Sequence, residues 1–118
     1  MENKTNKLSC LTVKNETPQS AEVYIHGDIV DDDMKAWLSE CDGKTFAGYV
    51  LPVDVREKLE SLQGKDLTIY INSDGGSVPA GMTIANMIKR HDGHTVGVVD
   101  GWAASIASVI FMACDDLY

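Results

Sequence analysis

The chain has 118 residues, enough for one domain but few for an α/β fold. Its hydrophobic content of 44% and charged content of 24% are ordinary for a soluble globular protein. Its 18 acidic and 10 basic residues give a formal net charge of −8, which repels a phosphate backbone. No basic stripe offsets this charge, so we expect no nucleic-acid partner.

The sequence also predicts a cytoplasmic protein. The longest apolar run, residues 102–114, is too short to span a bilayer, and the polar N-terminus lacks the apolar core of an export signal. Three widely spaced cysteines without a Cys-x-x-Cys pair indicate reduced thiols rather than a zinc site. We therefore expect no membrane contact, no metal and no cofactor.

The first third of the chain predicts an arm, a strand and a short helix. Residues 1–20 are polar and are expected to form an N-terminal arm or a short edge strand, with one α/β domain over residues 21–118. Residues 22–26 alternate as in a strand, which ends at Gly27. A run of three aspartates then precedes apolar residues at helical spacing, namely Met34, Trp37, Leu38 and Cys41.

The middle of the chain predicts a loop, a helix and a central strand. Residues 43–50 have loop composition, and a helix begins near Pro52, with Asp54 and Glu57 spaced as a capping box. Gly64 ends this helix. Residues 67–72 are apolar on both faces, as expected of a central parallel strand.

The last third predicts two more helices and two strands. A helix runs from Val78 to about His91, with a close-packing stripe of Gly81, Ile84, Ala85 and Ile88. A strand follows at 95–99, a helix at 104–114 and the first residues of another strand at 116–118. The order β-α-α-β-α-β-α-(β) predicts an α/β fold of parallel strands with right-handed crossovers, incomplete at its C-terminus.

The candidate functional residues lie in two strand-to-helix turns. Gly75 and Gly76 follow the central strand, where paired glycines let a ligand approach backbone N–H groups near a helix N-terminus. Paired glycines after a strand more often serve only to let the chain turn. The Gly-Lys-Ser/Thr sequence of a phosphate-binding loop is absent.

Ser105 opens an otherwise apolar helix, a position at which serine is usually an N-cap or a small packing residue. As a nucleophile it would need a base and an oxyanion site about 3 Å away, for which the N–H groups of Gly76 and Ile106 are the first candidates. Ser108, one helical turn on, is interpreted as packing.

The three histidines are weak candidates for the base. His26 ends the first strand, whereas His91 and His94 flank a turn at the opposite ends of the strands from both glycine turns. Active sites in parallel sheets gather at the carboxyl ends of strands. We expect all three to be surface histidines.

These residues resemble the ClpP family of serine peptidases, in particular its prophage-encoded members, the head maturation proteases. The family pattern is a strand ending in Asn-Ser-Pro-Gly-Gly, a helix carrying Ala-Gly-Met, a strand, and Gly-x-Ala-Ala-Ser. Residues 72–82 (NSDGGSVPAGM) and 101–105 (GWAAS) match in order and spacing. The similarity is greatest over about 66–114 and extends to about residue 21.

The resemblance implies a ClpP/crotonase-like fold and an ATP-dependent-protease-type endopeptidase subunit that processes phage or prophage proteins. It implies Ser105 as the nucleophile, backbone N–H groups of Gly76 and Ile106 as the oxyanion hole, and the edge formed by Gly75, Ser77 and Val78 as the peptide-docking strand. It further implies a bacterial, cytoplasmic homo-oligomer of ring type, with an unfoldase ATPase or phage capsid proteins as possible partners.

Two features depart from the family pattern. Asp74 replaces the usual proline, which loosens the turn and adds a negative charge beside the site. The family's catalytic histidine follows the serine by about two dozen residues and its aspartate comes later, so both would lie beyond Tyr118. We therefore expect the 118-residue chain to be inactive by itself, and its open sheet edge to promote self-association.

Three alternatives remain at this stage. A Ser-Lys peptidase similar to signal peptide peptidase A shares the fold and the Gly-Gly-Ser-Val loop. A crotonase-like acyl-CoA enzyme shares the architecture but would need no serine at position 105. A non-catalytic remnant would assemble without hydrolysing anything.

Overall fold

The computed structural model describes residues 11–34 and 48–118, which form a sheet with helices packed on it. Two sheets are present, one of five strands and one of two. The elements in chain order are β1 (Leu11–Lys14), β2 (Ser20–His26), β3 (Asp28–Ile29), β4 (Tyr49–Val50), α1 (Pro52–Ser61), β5 (Asp66–Ser73), α2 (Val78–Arg90), β6 (Thr95–Ala103), α3 (Ile106–Met112) and β7 (Asp116–Leu117).

The main sheet has the strand order β1-β2-β5-β6-β7. The prediction of parallel strands is confirmed from β2 to β7, because each neighbouring pair in that series is parallel. At the other edge, β1 pairs antiparallel with β2, so residues 11–14 and Ser20 already belong to the sheet before the predicted domain start at residue 21. Strands β3 and β4 form a separate parallel pair beside it.

The core lies between one face of the sheet and the helices. Ile25, Ile69 and Ile71 alternate with less buried residues along β2 and β5, and each is fully buried. The predicted stripe on α2 is buried against them, since Ile84 and Ala85 are 1% exposed or less. Gly81 lets α2 approach α3 closely, because a Cβ there would lie 2.3 Å from the side chain of Ile106, the first residue of α3.

Several predicted element ends differ from the structure. The predicted capping box at Asp54 is wrong: the N-cap of α1 is Leu51, and its side chain makes no capping bond. Instead Asp32, 21 residues earlier, accepts a 2.9 Å hydrogen bond from the backbone N–H of Val53. Helix α1 ends at Ser61, and Gly64 lies in the turn that follows, with φ of 81°.

The predictions from local sequence patterns are also wrong in part for three other segments. The end of the predicted loop 43–50 is strand β4, which pairs with β3. Strand β6 continues four residues past the predicted end at Val99, and α3 covers only Ile106–Met112 rather than 104–114. The strand predicted at 116 is present as β7. The helix predicted through Met34 and Cys41 falls mostly on residues 35–47, outside the described residues.

Within residues 11–34 and 48–118, no helix is both long enough and apolar enough to cross a membrane. The same residues contain no cluster of three His, Cys, Asp or Glu side chains arranged to hold a metal ion.

Candidate active site

The two turns singled out in the sequence meet at the carboxyl ends of β5 and β6. These strands are parallel neighbours, in register from Leu67 opposite Thr95 to Ile71 opposite Val99. A bulge then shifts the register so that Ser73 lies opposite Ala103, and the N–H of Ala104 donates to the Ser73 carbonyl at 3.1 Å. This bond joins the two turns directly.

Gly75 lies in direct contact with the turn that carries Ser105. A Cβ built on Gly75 would lie 2.8 Å from the Cβ of Ser105 and 2.9 Å from the carbonyl oxygen of Ala104. It would also lie 3.3 Å from the backbone nitrogen of Ile106. Gly75 has a φ of 102°, so both its conformation and its surroundings exclude a side chain.

Ser105 has a backbone conformation that L-residues rarely adopt, with φ of 55° and ψ of −133°. A non-glycine residue held there stores on the order of 1–3 kcal/mol of strain, and such residues cluster at functional sites. The side chain is exposed and makes no capping hydrogen bond, although Ser105 occupies the N-cap position of α3. The ordinary role of a helix-opening serine is therefore absent here.

Two backbone N–H groups in these two turns have no acceptor among the described residues. Ile106 is the first residue of α3, where N–H groups have no intrahelical partner, and its N–H donates to no described carbonyl. The N–H of Gly76 is likewise unused. Backbone N–H groups without a partner can stabilise negative charge on an oxygen.

The orientation of Gly76 follows from its pairing with Ile29. The N–H of Ile29 donates to the Gly75 carbonyl at 2.8 Å, and the N–H of Ser77 donates to the Ile29 carbonyl at 2.9 Å. Peptide groups alternate sides along an extended segment, so the N–H and carbonyl of Gly76 point away from Ile29. One side of this segment is paired within the chain and the other is open.

Ser73 is a site residue that the sequence analysis did not single out. Its hydroxyl is buried and accepts a 3.0 Å hydrogen bond from the N–H of Gly75. This bond holds the glycine turn in shape from inside the sheet. The signal was present in the sequence, since a serine two residues before a glycine turn can accept from the backbone in this way.

Ser77 has its polar groups engaged inside the chain. Its hydroxyl accepts from the N–H of Ala80 at 3.2 Å, which caps α2, and donates to Asp31 Oδ1 at 2.6 Å. Its carbonyl accepts from the N–H of Gly81. Ser77 therefore fixes the turn, while the neighbouring Val78 side chain is 57% exposed.

An open cavity of about 580 Å³ adjoins the glycine turn. Three acidic residues line it together with the turn itself, namely Asp28, Asp31 and Asp74. The predicted negative charge of Asp74 beside the site is thus part of a larger acidic surface.

None of the three histidines hydrogen-bonds to Ser105 within the described residues. His26, at the carboxyl end of β2, has its Nε2 3.2 Å from Oδ2 of Asp100, which lies in the second half of β6. His91 is buried and bonds to the Lys65 carbonyl, while His94 pairs with Asp116 near the start of β6. His91 and His94 thus flank the amino end of β6, away from Ser105. The prediction that His91 lies on the surface is wrong, because its side chain is buried.

This arrangement of parallel strands, glycine turn and strained serine is that of an α/β protein of the ClpP/crotonase fold. A family model described as Clp protease matches residues 55–117, and the chain belongs to this family of serine peptidases. The structure of ClpP1 from Listeria monocytogenes superposes with a TM-score of 0.58 and 32% identity, covering 79% of this chain and 46% of that one.

Relatives by sequence support the same assignment. The ATP-dependent Clp protease proteolytic subunit of Ligilactobacillus salivarius is 45% identical over 91 residues, covering 77% of this chain and 39% of that protein. Proteolytic subunit 3 of Streptomyces avermitilis is 32% identical over 108 residues, covering 86% of this chain and 48% of that one. The chain thus spans less than half the length of these relatives.

A structure of an enoyl-CoA hydratase from Streptomyces coelicolor shares the fold, with a TM-score of 0.56 and 16% identity over 98% of this chain and 47% of that one.

Proposed function

We propose that the chain is a serine endopeptidase subunit in which the Ser105 hydroxyl attacks the scissile carbonyl. The observation that carries this proposal is the state of Ser105: exposed, uncapped, strained, and in contact with Gly75. The unused N–H groups of Gly76 and Ile106 would stabilise the oxyanion that develops during attack. A serine serving only as a packing residue or cap gains nothing from this geometry.

The open side of the glycine segment is the proposed peptide-docking edge. A substrate strand would add to this edge through the carbonyl of Gly76, while the N–H of Gly76 serves the oxyanion. Gly75 keeps the approach free of a side chain, Ser77 anchors the segment, and Val78 offers an exposed apolar contact. Recognition through the backbone is suited to a protease that accepts varied sequences.

The general base is proposed to come from outside the three histidines of this chain. His26 makes no hydrogen bond to Ser105 among the described residues, and the other two histidines lie near the amino end of β6. A nucleophile without its base keeps only a small part of the normal rate, because triad members act as a unit. The 118-residue chain by itself should therefore hydrolyse peptides slowly.

The wider setting of the protein follows the same proposal. We propose that it works as a cytoplasmic homo-oligomer in bacteria, with protein processing in a phage or prophage as its role and an unfoldase ATPase or capsid protein as partner. The motif match over residues 72–82 and 101–105 supports the ClpP-like part of this statement. A Ser-Lys mechanism remains the competing chemistry, and an acyl-CoA enzyme would leave Ser105 without a role.

Labelling with a fluorophosphonate probe tests both the nucleophile and the proposal that its base comes from outside the three histidines. We expect weak labelling of the 118-residue chain, an increase of at least about tenfold on adding imidazole as a substitute base, and none in Ser105→Ala. Ser61→Ala is the matched control and should label as the wild type does, because Ser61 is an exposed serine on α1 whose hydroxyl donates only to the Lys58 carbonyl. Labelling that persists in Ser105→Ala would disprove the nucleophile. Strong labelling without imidazole would place the base within the chain.

A further inference from the structure

A second cavity lies between α1 and α2, apart from the candidate active site. It has a volume of about 170 Å³ and is lined by Arg56 and Glu60 from α1, Arg90 from α2, and His91 just after it. Leu59 and Met87 supply an apolar wall. None of the residues assigned to peptide hydrolysis contributes to this cavity.

The cavity gathers positive charge in a chain that is acidic overall. Arg56 and Arg90 are exposed, and neither forms an ion pair with any residue in the described ranges. Among the described residues that line the cavity, Glu60 is the one acidic side chain. Two unpaired arginines that face one cavity repel each other, and an anion between them would relieve that repulsion.

His91 supplies an independent observation at the same place. Its side chain is 8% exposed, and Nε2 lies 2.7 Å from the Lys65 carbonyl oxygen. A carbonyl can only accept, so Nε2 carries the proton and Nδ1 is the free position of the ring. Nδ1 is buried and has no hydrogen-bond partner among the described residues. A buried polar atom without a partner is uncommon, so the free Nδ1 of His91 calls for an explanation.

We propose that this cavity binds a small oxyanion, a phosphate or carboxylate group. The guanidinium groups of Arg56 and Arg90 match the paired oxygens of such a group, which arginine binds through two parallel hydrogen bonds. Because the Lys65 carbonyl places the ring proton on Nε2, Nδ1 of His91 is an acceptor and can take a hydrogen bond from a protonated phosphate oxygen. The apolar wall limits the site to a group of small size.

The test is a titration of the 118-residue chain with inorganic phosphate, with sodium acetate and chloride as parallel arms at constant ionic strength. We expect saturable phosphate or acetate binding with a dissociation constant of about 1 mM or tighter. The side-chain nitrogen signals of His91 should shift along the same binding curve. A larger effect of phosphate would identify a phosphate group as the ligand, and a larger effect of acetate a carboxylate.

Charge-matched variants separate a site from general attraction. Arg56→Gln and Arg90→Gln should each weaken binding by about tenfold, because each removes a charge-assisted hydrogen-bond pair. Lys58→Gln and Lys89→Gln remove the same charge from exposed positions on the same helices and should change binding by less than about twofold. Equal weakening in the lysine variants, binding no stronger than chloride, or an unmoved His91 signal would overturn the proposal. None of these readouts depends on Ser105.

Discussion

Gly75 and Ser105 lie so close together that Ser105 fills the space that a side chain on residue 75 would need. A Cβ on Gly75 would come within 2.8 Å of the Cβ of Ser105, a separation that side chains essentially never adopt. The contact joins the ends of two strands that are separated by helix α2 in the chain. The proposed hydrolysis at Ser105 would depend on this contact, because the proposed oxyanion hole uses N–H groups from both turns.

The first prediction concerns this contact. Gly75→Ala should lower the free energy of unfolding by about 2 kcal/mol or more, because the new methyl group meets Ser105 and the Ala104 carbonyl. It should also reduce fluorophosphonate labelling in the presence of imidazole by at least about tenfold. Urea denaturation and quantified probe labelling are the two measurements.

Gly64→Ala is the matched control for that variant. Gly64 also has a positive φ, of 81°, but a Cβ there meets nothing within 4 Å. Gly64→Ala should lower the free energy of unfolding only by the conformational strain, about 1 kcal/mol, and should leave labelling unchanged. Equal effects at the two glycines would mean that backbone strain, and not the contact with Ser105, controls the site.

The second prediction concerns Ser73. Ser73→Ala leaves the N–H of Gly75 without its acceptor inside the sheet, which should cost about 1–3 kcal/mol of stability. The loosened turn should also lower imidazole-assisted labelling at Ser105. Ser61→Ala removes an exposed hydroxyl that bonds to the Lys58 carbonyl, and should change stability by less than about 0.5 kcal/mol. A stable Ser73→Ala variant with normal labelling would show that the bond is dispensable.

The third prediction concerns the pH dependence of stability. The hydrogen bond to Asp116 raises the pKa of His94 above its ordinary value. A pKa that is higher in the folded state means that the protonated ring stabilises the fold. This contribution is complete below about pH 6.5, the pKa of an unperturbed histidine, and is lost as the pH rises through the raised value.

Thermal unfolding between pH 5.5 and 8.5 measures this contribution against a His94→Gln variant. The wild-type chain should be the more stable at low pH, and the difference should shrink toward high pH. A difference that is constant across this range would contradict the assignment, because it would not depend on protonation of the ring.

The fourth prediction concerns the thiol of Cys114. Burial, with the nearby negative charge of Asp115, raises the pKa of Cys114 to about 12. The reactive thiolate is therefore almost absent at pH 8, and the native chain should react with iodoacetamide at this position far more slowly than the urea-unfolded chain. Peptide mapping by mass spectrometry gives the rate at each cysteine. Equal rates in the two states would mean that the end of α3 opens readily.

The fifth prediction concerns self-association. Val109 and Met112 lie three residues apart on α3 and are exposed, at 37% and 66%, and Trp102 at the end of β6 is 58% exposed. If this apolar surface is an interface between copies, Met112→Lys should weaken association measured by sedimentation. Thr83→Lys, on an exposed polar position of α2, should leave it unchanged. A monomeric wild-type chain at micromolar concentration would remove the basis for this expectation.

Much of the fold was predictable because its determinants are local. The alternation of apolar residues in β2 and β5, and the 3.6-residue stripe on α2, depend only on neighbours in the chain. The glycine turn and the serine at the start of α3 were recognisable for the same reason. Errors fell where a local pattern competed with a distant partner, as at Asp54, which was predicted as a cap that Asp32 provides instead.

The sequence by itself determined the order of the elements from α1 to β7, the family and the residues that face one another at the strand ends. Only the tertiary structure decided how those residues are held: the hydroxyl of Ser73 on Gly75, the pairing of Ile29 along the glycine segment, and the strained backbone of Ser105. It also brought Arg56 and His91 to one cavity. The physical reason is that propensity and turn chemistry act over a few residues. The partner of a hydrogen bond, by contrast, is chosen by how whole strands and helices pack, as with Ser77 and Asp31, which are 46 residues apart.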